Sequence, residues 1–213
     1  MFKKILKYIN SIPFSLTINH YQNFGDVTKN LKNSELNSSE SWDVLRLNHP
    51  QFSISKSREE WLMAANAEFK KDGQDGGLFD RAKNIEEVLR LKNINSLFSV
   101  GVGGAGLEYQ IKKINPGIKI VCSEFAVKNV DLLKAVFIEA DDIVRFDIIN
   151  GDWGEINKKY LEGNSACLMY RVDASFSDEE WKSIFKSLHR ANISKIIFIP
   201  SSFLTLFSIF NRK

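Results

Sequence analysis

The chain has 213 residues, 44% hydrophobic and 26% charged, the balance of an ordinary globular protein and not of a disordered, collagen-like or disulfide-scaffold chain. Its net charge of +3, from 29 basic and 26 acidic residues, is too small and too scattered to mark a nucleic-acid footprint. Cys122 and Cys167 lie in apolar runs, where a thiol packs as a small hydrophobe, so neither a disulfide framework nor a zinc site is expected and a reducing cytoplasm is the simpler location.

The N-terminus starts basic, Met1-Phe2-Lys3-Lys4, but lacks the long apolar core and cleavage site of a secretion signal. Phe2, Ile5, Leu6, Ile9 and Ile12 recur at helical spacing opposite Lys3, Lys4 and Lys7. A helix capping the domain is the favoured reading of residues 1–12, with contact to a membrane surface as the other. No apolar run approaches the roughly 20 residues that a membrane span needs. Residues 15–56 are rich in Asn and Ser and read as loops and short turns. Ser57 and Glu60 then form a capping-box signature, and Trp61, Ala65 and Phe69 share one face of a helix expected to stop near Lys71. A glycine-rich loop, Asp72 to Gly77, separates it from a second helix marked by Ala82, Ile85, Val88 and Leu89.

Beyond Leu91 short apolar runs alternate with helical patterns, the signature of βα units building a parallel sheet. The expected strands are Leu97 to Val102, Ile118 to Cys122, Ile143 to Ile149, Ala166 to Val172 and Ile196 to Ile199. Leu107, Ile111 and Ile114 mark one intervening helix, and Val127, Val130, Leu133 and Phe137 another. Trp181, Ile184, Phe185 and Leu188 mark a third, behind a Ser177 to Glu180 capping box. The expectation is a three-layer α/β domain with a mostly parallel sheet over residues 80–213. Residues 1–79 form a helical and loop region that acts as a lid over the ligand crevice and selects the substrate.

The first strand runs into Gly101-Val102-Gly103-Gly104-Ala105-Gly106, a G-x-G-x-x-G loop in the required place between a strand and a helix. Gly101 permits a tight turn, Gly103 lets a ligand approach the backbone, and Gly106 allows close packing of helix on strand. The helix N-terminus offers unpaired N–H groups. Glu124 ends the second strand, 23 residues beyond Gly101, near the spacing at which an acid reaches a ribose. A dehydrogenase using a nicotinamide would show the same two features. The third strand discriminates, because it leads into Gly151-Asp152-Trp153.

A glycine loop, an acid ending the second strand and a Gly-Asp pair after the third resemble the Rossmann-like S-adenosylmethionine-dependent methyltransferases. The resemblance implies that Glu124 holds the ribose hydroxyls, that Asp152 accepts from the adenine amino group, and that the glycine loop takes the methionine part. It also implies a binding set of Gly101, Val102, Gly103, Gly106, Glu124, Phe125, Gly151, Asp152 and Trp153. Phe125 and Trp153 stand beside the two acids, where flat rings can sandwich an adenine; for Trp153 core packing is an equal reading. Two departures accompany it. Ser99 stands where the family often carries an acid two positions before the first glycine. Family members also continue past the fifth strand into a helix and two more strands, whereas this sequence ends soon after Phe203 to Phe210, so the last strands are expected to be missing.

Asp173, after the fourth strand, can orient an acceptor or take its proton, but an acid in the turn before a helix is the favoured reading, since no histidine partner lies nearby in sequence. No catalytic residue is assigned beyond it. No His, Cys or carboxylate cluster has metal-site spacing, so no metal is expected. The sequence reads as an enzyme transferring a methyl group from S-adenosylmethionine to an acceptor it does not identify, with small molecules, envelope glycan or lipid intermediates and proteins all open, and without nucleic acid. The alternatives are an NAD(P)-dependent oxidoreductase, for which Asp152 has no explanation, and a catalytically silent adenosyl-ligand binder.

Overall fold

Five apolar runs become the strands of one sheet in the computed structural model, which describes residues 39–48, 53–66, 77–172 and 176–200. They are β1 (Ser96–Val100), β2 (Lys119–Glu124), β3 (Asp142–Arg145), β4 (Ser165–Tyr170) and β5 (Ile196–Ile199), in the spatial order β3-β2-β1-β4-β5. Every neighbouring pair is parallel, so each connection must cross a face of the sheet. The chain steps outward from β1 to β2 to β3, then returns to the other side of β1 for β4 and β5. The reversal between β1 and β4 is the switch point of a Rossmann-like α/β fold, where the carboxyl ends of adjacent strands diverge into opposite connections.

The helices are α1 (Ser39–Asn48), α2 (Arg58–Asn66), α3 (Gly77–Leu91), α4 (Gly106–Ile114), α5 (Val127–Val136), α6 (Trp153–Ile156) and α7 (Asp178–Arg190). A π-helical turn, Asn157–Leu161, continues α6. Successive strand residues point to opposite faces, and the core divides accordingly. Leu97, Ile120 and Leu168 meet Ile85 and Leu89 of α3, Ile111 of α4 and Leu133 of α5 on one face. Phe98, Val121 and Met169 meet Trp153 of α6, Tyr160 of the π turn and Ile184 of α7 on the other. β1 is buried along its whole length, which is why it reads as an unbroken apolar run. No helix among the described residues is long and apolar enough to cross a membrane.

Strand boundaries differ from the sequence expectation where the backbone turns. β1 and β4 stop at Val100 and Tyr170 because Gly101 and Arg171 adopt left-handed conformations. β3 ends at Arg145, four residues short of the expected Ile149. There the Asp147 carboxylate accepts from the N–H groups of Ile149 and Asn150 and folds the segment into a turn. Phe146 and Ile148 still pack into the core, which explains why the run looked like strand. The Ser177–Glu180 capping box forms in both directions. At α2 the Glu60 N–H approaches Ser57 Oγ at 3.4 Å, but the Glu60 carboxylate takes the Ser55 hydroxyl instead of closing the box. α2 ends at Asn66; the expected face residues Trp61 and Ala65 are buried, while Phe69 and Lys71 lie outside the described residues. Val88 and Phe185, two of the apolar residues that marked these helices, are each 42% exposed.

Phe98 is fully buried, with the Phe146 and Tyr160 rings each 5.7 Å away and Trp153 at 6.3 Å. Phe98→Ala is therefore expected to cost about 3 to 5 kcal/mol of unfolding free energy, measured by urea denaturation; a loss below about 1 kcal/mol would show that this cluster does not support the second face.

Candidate functional site

The glycine loop occupies the carboxyl end of β1, beside the switch point. Its N-terminal half is tied to β2, because the Ser123 carbonyl accepts from both Gly101 N–H (2.9 Å) and Val102 N–H (3.2 Å). Gly101 has φ +65°, and a Cβ there would stand 2.8 Å from Val172 Cγ1, so a side chain would be excluded by both conformation and space. Gly103 has φ +57° with nothing within 4 Å of a built Cβ, and Gly104 is equally open. The two glycines thus leave clear room above the backbone, the property a loop needs if a ligand is to lie against it.

Glu124, at the end of β2, is only 5% exposed. One carboxylate oxygen accepts from Gly103 N–H at 3.0 Å and the other from Ala126 N–H at 3.4 Å. The structure therefore brings together the two features that the spacing paired, loop and acid, in direct contact. On the other side of the loop the Trp61 indole of α2 donates to the Gly104 carbonyl at 2.8 Å. Trp61 itself is buried against Tyr109 (5.2 Å) and Phe137 (5.3 Å). Ala105, left-handed at φ 55°, precedes α4 without a side-chain cap.

Other expected site residues take different places. Gly106 does not pack the helix on a strand: a Cβ there would meet Leu78 Cδ1 of α3 at 2.8 Å and Ala65 Cα of α2 at 3.6 Å, so its absence permits close helix–helix approach. A Cβ on Gly151 would strike the Phe146 ring, at 2.8 Å from Cζ. Asp152 is exposed and caps α6, its Oδ1 accepting from Gly154 N–H (2.8 Å) and Glu155 N–H (3.0 Å). Trp153 is 3% exposed, donates to the Ile148 carbonyl at 3.0 Å and packs 4.7 Å from the Phe146 ring. Its indole occupies the core, the packing alternative for this residue. Phe125 is half-buried immediately after Glu124. Asp173 lies outside the described residues.

One buried acid close to the loop has no counterpart in the sequence reading. Glu108, in the first turn of α4, accepts from Ser99 Oγ at 2.6 Å and is fully enclosed. Burial pushes its carboxyl up to about 7 against the opposing pull of the Ser99 hydrogen bond. Its position beside Leu107 and three before Ile111, both core residues, was the available signal. Burial likewise raises the thiols of Cys122 and Cys167, leaving both protonated and inert.

Fold and loop together define the class as a Rossmann-like α/β domain. No protein-family model matches the sequence, and no curated protein does. Among solved structures the chain is similar to EvdMO1, at 14% identity and a TM-score of 0.43 over 63% of this chain and 32% of that one. It is similar also to PigF with SAH, at 13% identity and a TM-score of 0.36 over 78% of this chain and 50% of that one. The chain thus spans about a third of the first and half of the second.

Two outcomes follow from the site geometry. Gly101→Ala and Gly103→Ala each meet the left-handed penalty of about 1 to 2 kcal/mol, but only the first also strikes Val172; thermal denaturation should rank Gly101→Ala as the more destabilised, and equal losses would remove the Val172 contact from the account. Glu108 binds its proton more tightly folded than unfolded, so the stability linked to that proton is full below about pH 4.5 and is lost as pH rises through about 7. Relative to Glu108→Gln, which keeps an acceptor for Ser99, the wild type should lose about 3 kcal/mol over that window. Parallel pH profiles for the two proteins would place the titration elsewhere.

Proposed function

We propose that the chain binds S-adenosylmethionine across the carboxyl ends of β1 and β2 and transfers its methyl group to an acceptor. The observation that carries this reading is the Glu124 carboxylate joined to the Gly103 N–H. It sets a buried acid at the edge of the open surface over Gly103 and Gly104, and a carboxylate is the acceptor type that suits ribose hydroxyls. When bound, S-adenosylmethionine supplies a methyl group on a sulfonium that is already an activated leaving group, so the protein's task is alignment. Glu124 serves that task by fixing the ribose, and the loop backbone by receiving the methionine part. Asp152, with Oδ1 engaged as a cap, retains Oδ2 as an acceptor suited to the adenine amino group. The segment before α3 is proposed to contribute the acceptor pocket, for a small molecule or a glycan or lipid intermediate.

The same contact argues against a nicotinamide dinucleotide. In that class the loop N–H groups and the helix N-terminus meet a pyrophosphate. Here the Gly103 N–H is taken by a carboxylate, so that donor is engaged within the protein and not offered to a pyrophosphate.

Calorimetric titration with S-adenosylhomocysteine and with NAD separates the two readings. S-adenosylhomocysteine should bind more tightly than about 100 μM, close to −5.5 kcal/mol, and NAD should not. Glu124→Ala should weaken the adenosyl ligand by about 1.5 to 3 kcal/mol. NAD binding without S-adenosylhomocysteine binding would transfer the assignment to an oxidoreductase, and unchanged affinity in a folded variant would remove Glu124 from the site.

A further inference from the structure

Ile184 and Leu188 of α7 turn into the core of the sheet, but Phe185, between them in sequence, does not. Its ring is 42% exposed and lies 6.3 Å from that of Phe198 on β5, itself 40% exposed. Both rest on the Trp181 ring, at 5.5 and 5.3 Å, and Phe176 packs on the same indole at 5.3 Å. The two exposed rings are therefore fixed by a layer beneath them, and contiguous apolar surface held in this way marks an interaction surface. Beside it the sheet ends. β5 is the outer strand among the described residues, and Ile196–Ile199 is wholly apolar and only partly buried. The opposite edge, β3, begins at Asp142 and ends at Arg145. Charged residues keep an edge strand from pairing with another strand, and β5 has none.

The side of α7 that carries Phe185 also carries Asp178, Lys182 and His189, at steps of four, three and four residues that keep all four in line along the helix. All four are exposed. Asp178 and His189 stand equally far from the middle of this stripe, as do Lys182 and Phe185. Turned end over end, the stripe therefore fits itself. Asp178 meets His189 of a second copy, whose ring N–H donates to a carboxylate, and Lys182 meets Phe185. The Lys182 ammonium is held by Glu179 at 2.6 Å, which leaves its methylene stem to cover the ring. Self-complementarity of this kind is what a two-fold axis demands, since every contact it makes occurs twice with the roles exchanged. An axis at the outer side of β5 also runs the two β5 strands antiparallel, the arrangement in which they can pair directly.

We propose that α7 and β5 form the interface of a two-fold symmetric dimer, with a second copy of this chain as the occupant. β5 pairs antiparallel with β5 of the second copy, the exposed faces of Phe185 and Phe198 are covered, and Asp178 faces His189 across the axis. The dimer is independent of the adenosyl-ligand reading above, because none of its residues belongs to the glycine loop or to the acids beside it.

Sedimentation equilibrium of the full chain, from about 1 to about 100 μM, reads the assembly directly. The expected result is a monomer–dimer equilibrium with a dissociation constant on the order of 10 μM, the range of a modest interface. Phe185→Glu sets a charge in the middle of the patch and should raise that constant at least about tenfold. His189→Asp, on exposed helix surface away from the ring cluster, sets one carboxylate opposite another twice per dimer and should weaken it by about the same factor. Adding Asp178→Lys to His189→Asp restores opposite charges and should recover most of the loss. Thermal denaturation checks that each variant folds; if Phe185→Glu does not, the charge pair decides alone. A wild type that stays monomeric at about 100 μM overturns the dimer. So does a dimer that neither Phe185→Glu nor His189→Asp weakens, because it must use another surface. A dimer weakened by Phe185→Glu but indifferent to His189→Asp overturns the antiparallel arrangement of α7.

Discussion

Between Val100 and Gly106 the chain leaves β1, passes through left-handed conformations at Gly101, Gly103 and Ala105, and begins α4. So sharp a reversal cannot hold itself, because few of the N–H and C=O groups in it can pair within the loop. Its partners come from three directions. The Ser123 carbonyl takes the N–H groups of Gly101 and Val102, the Glu124 carboxylate takes that of Gly103, and the Trp61 indole satisfies the Gly104 carbonyl. The loop's shape is therefore a property of β2 and α2 as much as of its own glycines, and the open surface over Gly103 and Gly104 depends on all three.

Trp61 gives this frame a consequence for domain organisation. α2 lies before the first βα unit in sequence, yet its indole joins the same core as Leu107 and Phe137. Gln110 of α4 donates to the Ala65 carbonyl at 2.6 Å, and Arg58 pairs with Glu139 at 2.7 Å. A helix anchored in this way at both α4 and the end of α5 acts as a brace for the glycine loop, and any element that moves it must disturb the Gly104 carbonyl.

Legibility in the sequence followed the directness of the encoding. Strand positions were readable because burial on both faces leaves unbroken apolar runs, and Gly101 and Gly103 because left-handed backbone favours glycine. The pairing of loop and acid was readable from spacing, since a parallel βαβ unit fixes how far along the chain the next strand ends. The stretch after β3 was not, because Phe146 and Ile148 keep the alternation of a strand while Asp147 has already turned the backbone. Gly151 and Gly106 look like ligand glycines in sequence, but the space each spares is taken by Phe146 in one case and by Leu78 and Ala65 in the other. Composition cannot distinguish a glycine that makes room for a ligand from one that makes room for a neighbour.

Ser99 illustrates the same limit in reverse. The position two residues before the first glycine lacks an acid, yet a carboxyl stands 2.6 Å from its hydroxyl, supplied by Glu108 from the next helix. The two acids at the end of the sheet are thus sorted by environment. Glu108 sits behind the loop among Leu107, Ile111 and Cys122, where burial favours its neutral form. Glu124 sits at the loop's edge, accepting N–H groups that suit a carboxylate. Glu124 is the acid at the loop's open edge, and Ser99 is the hydroxyl that holds Glu108 in place behind it.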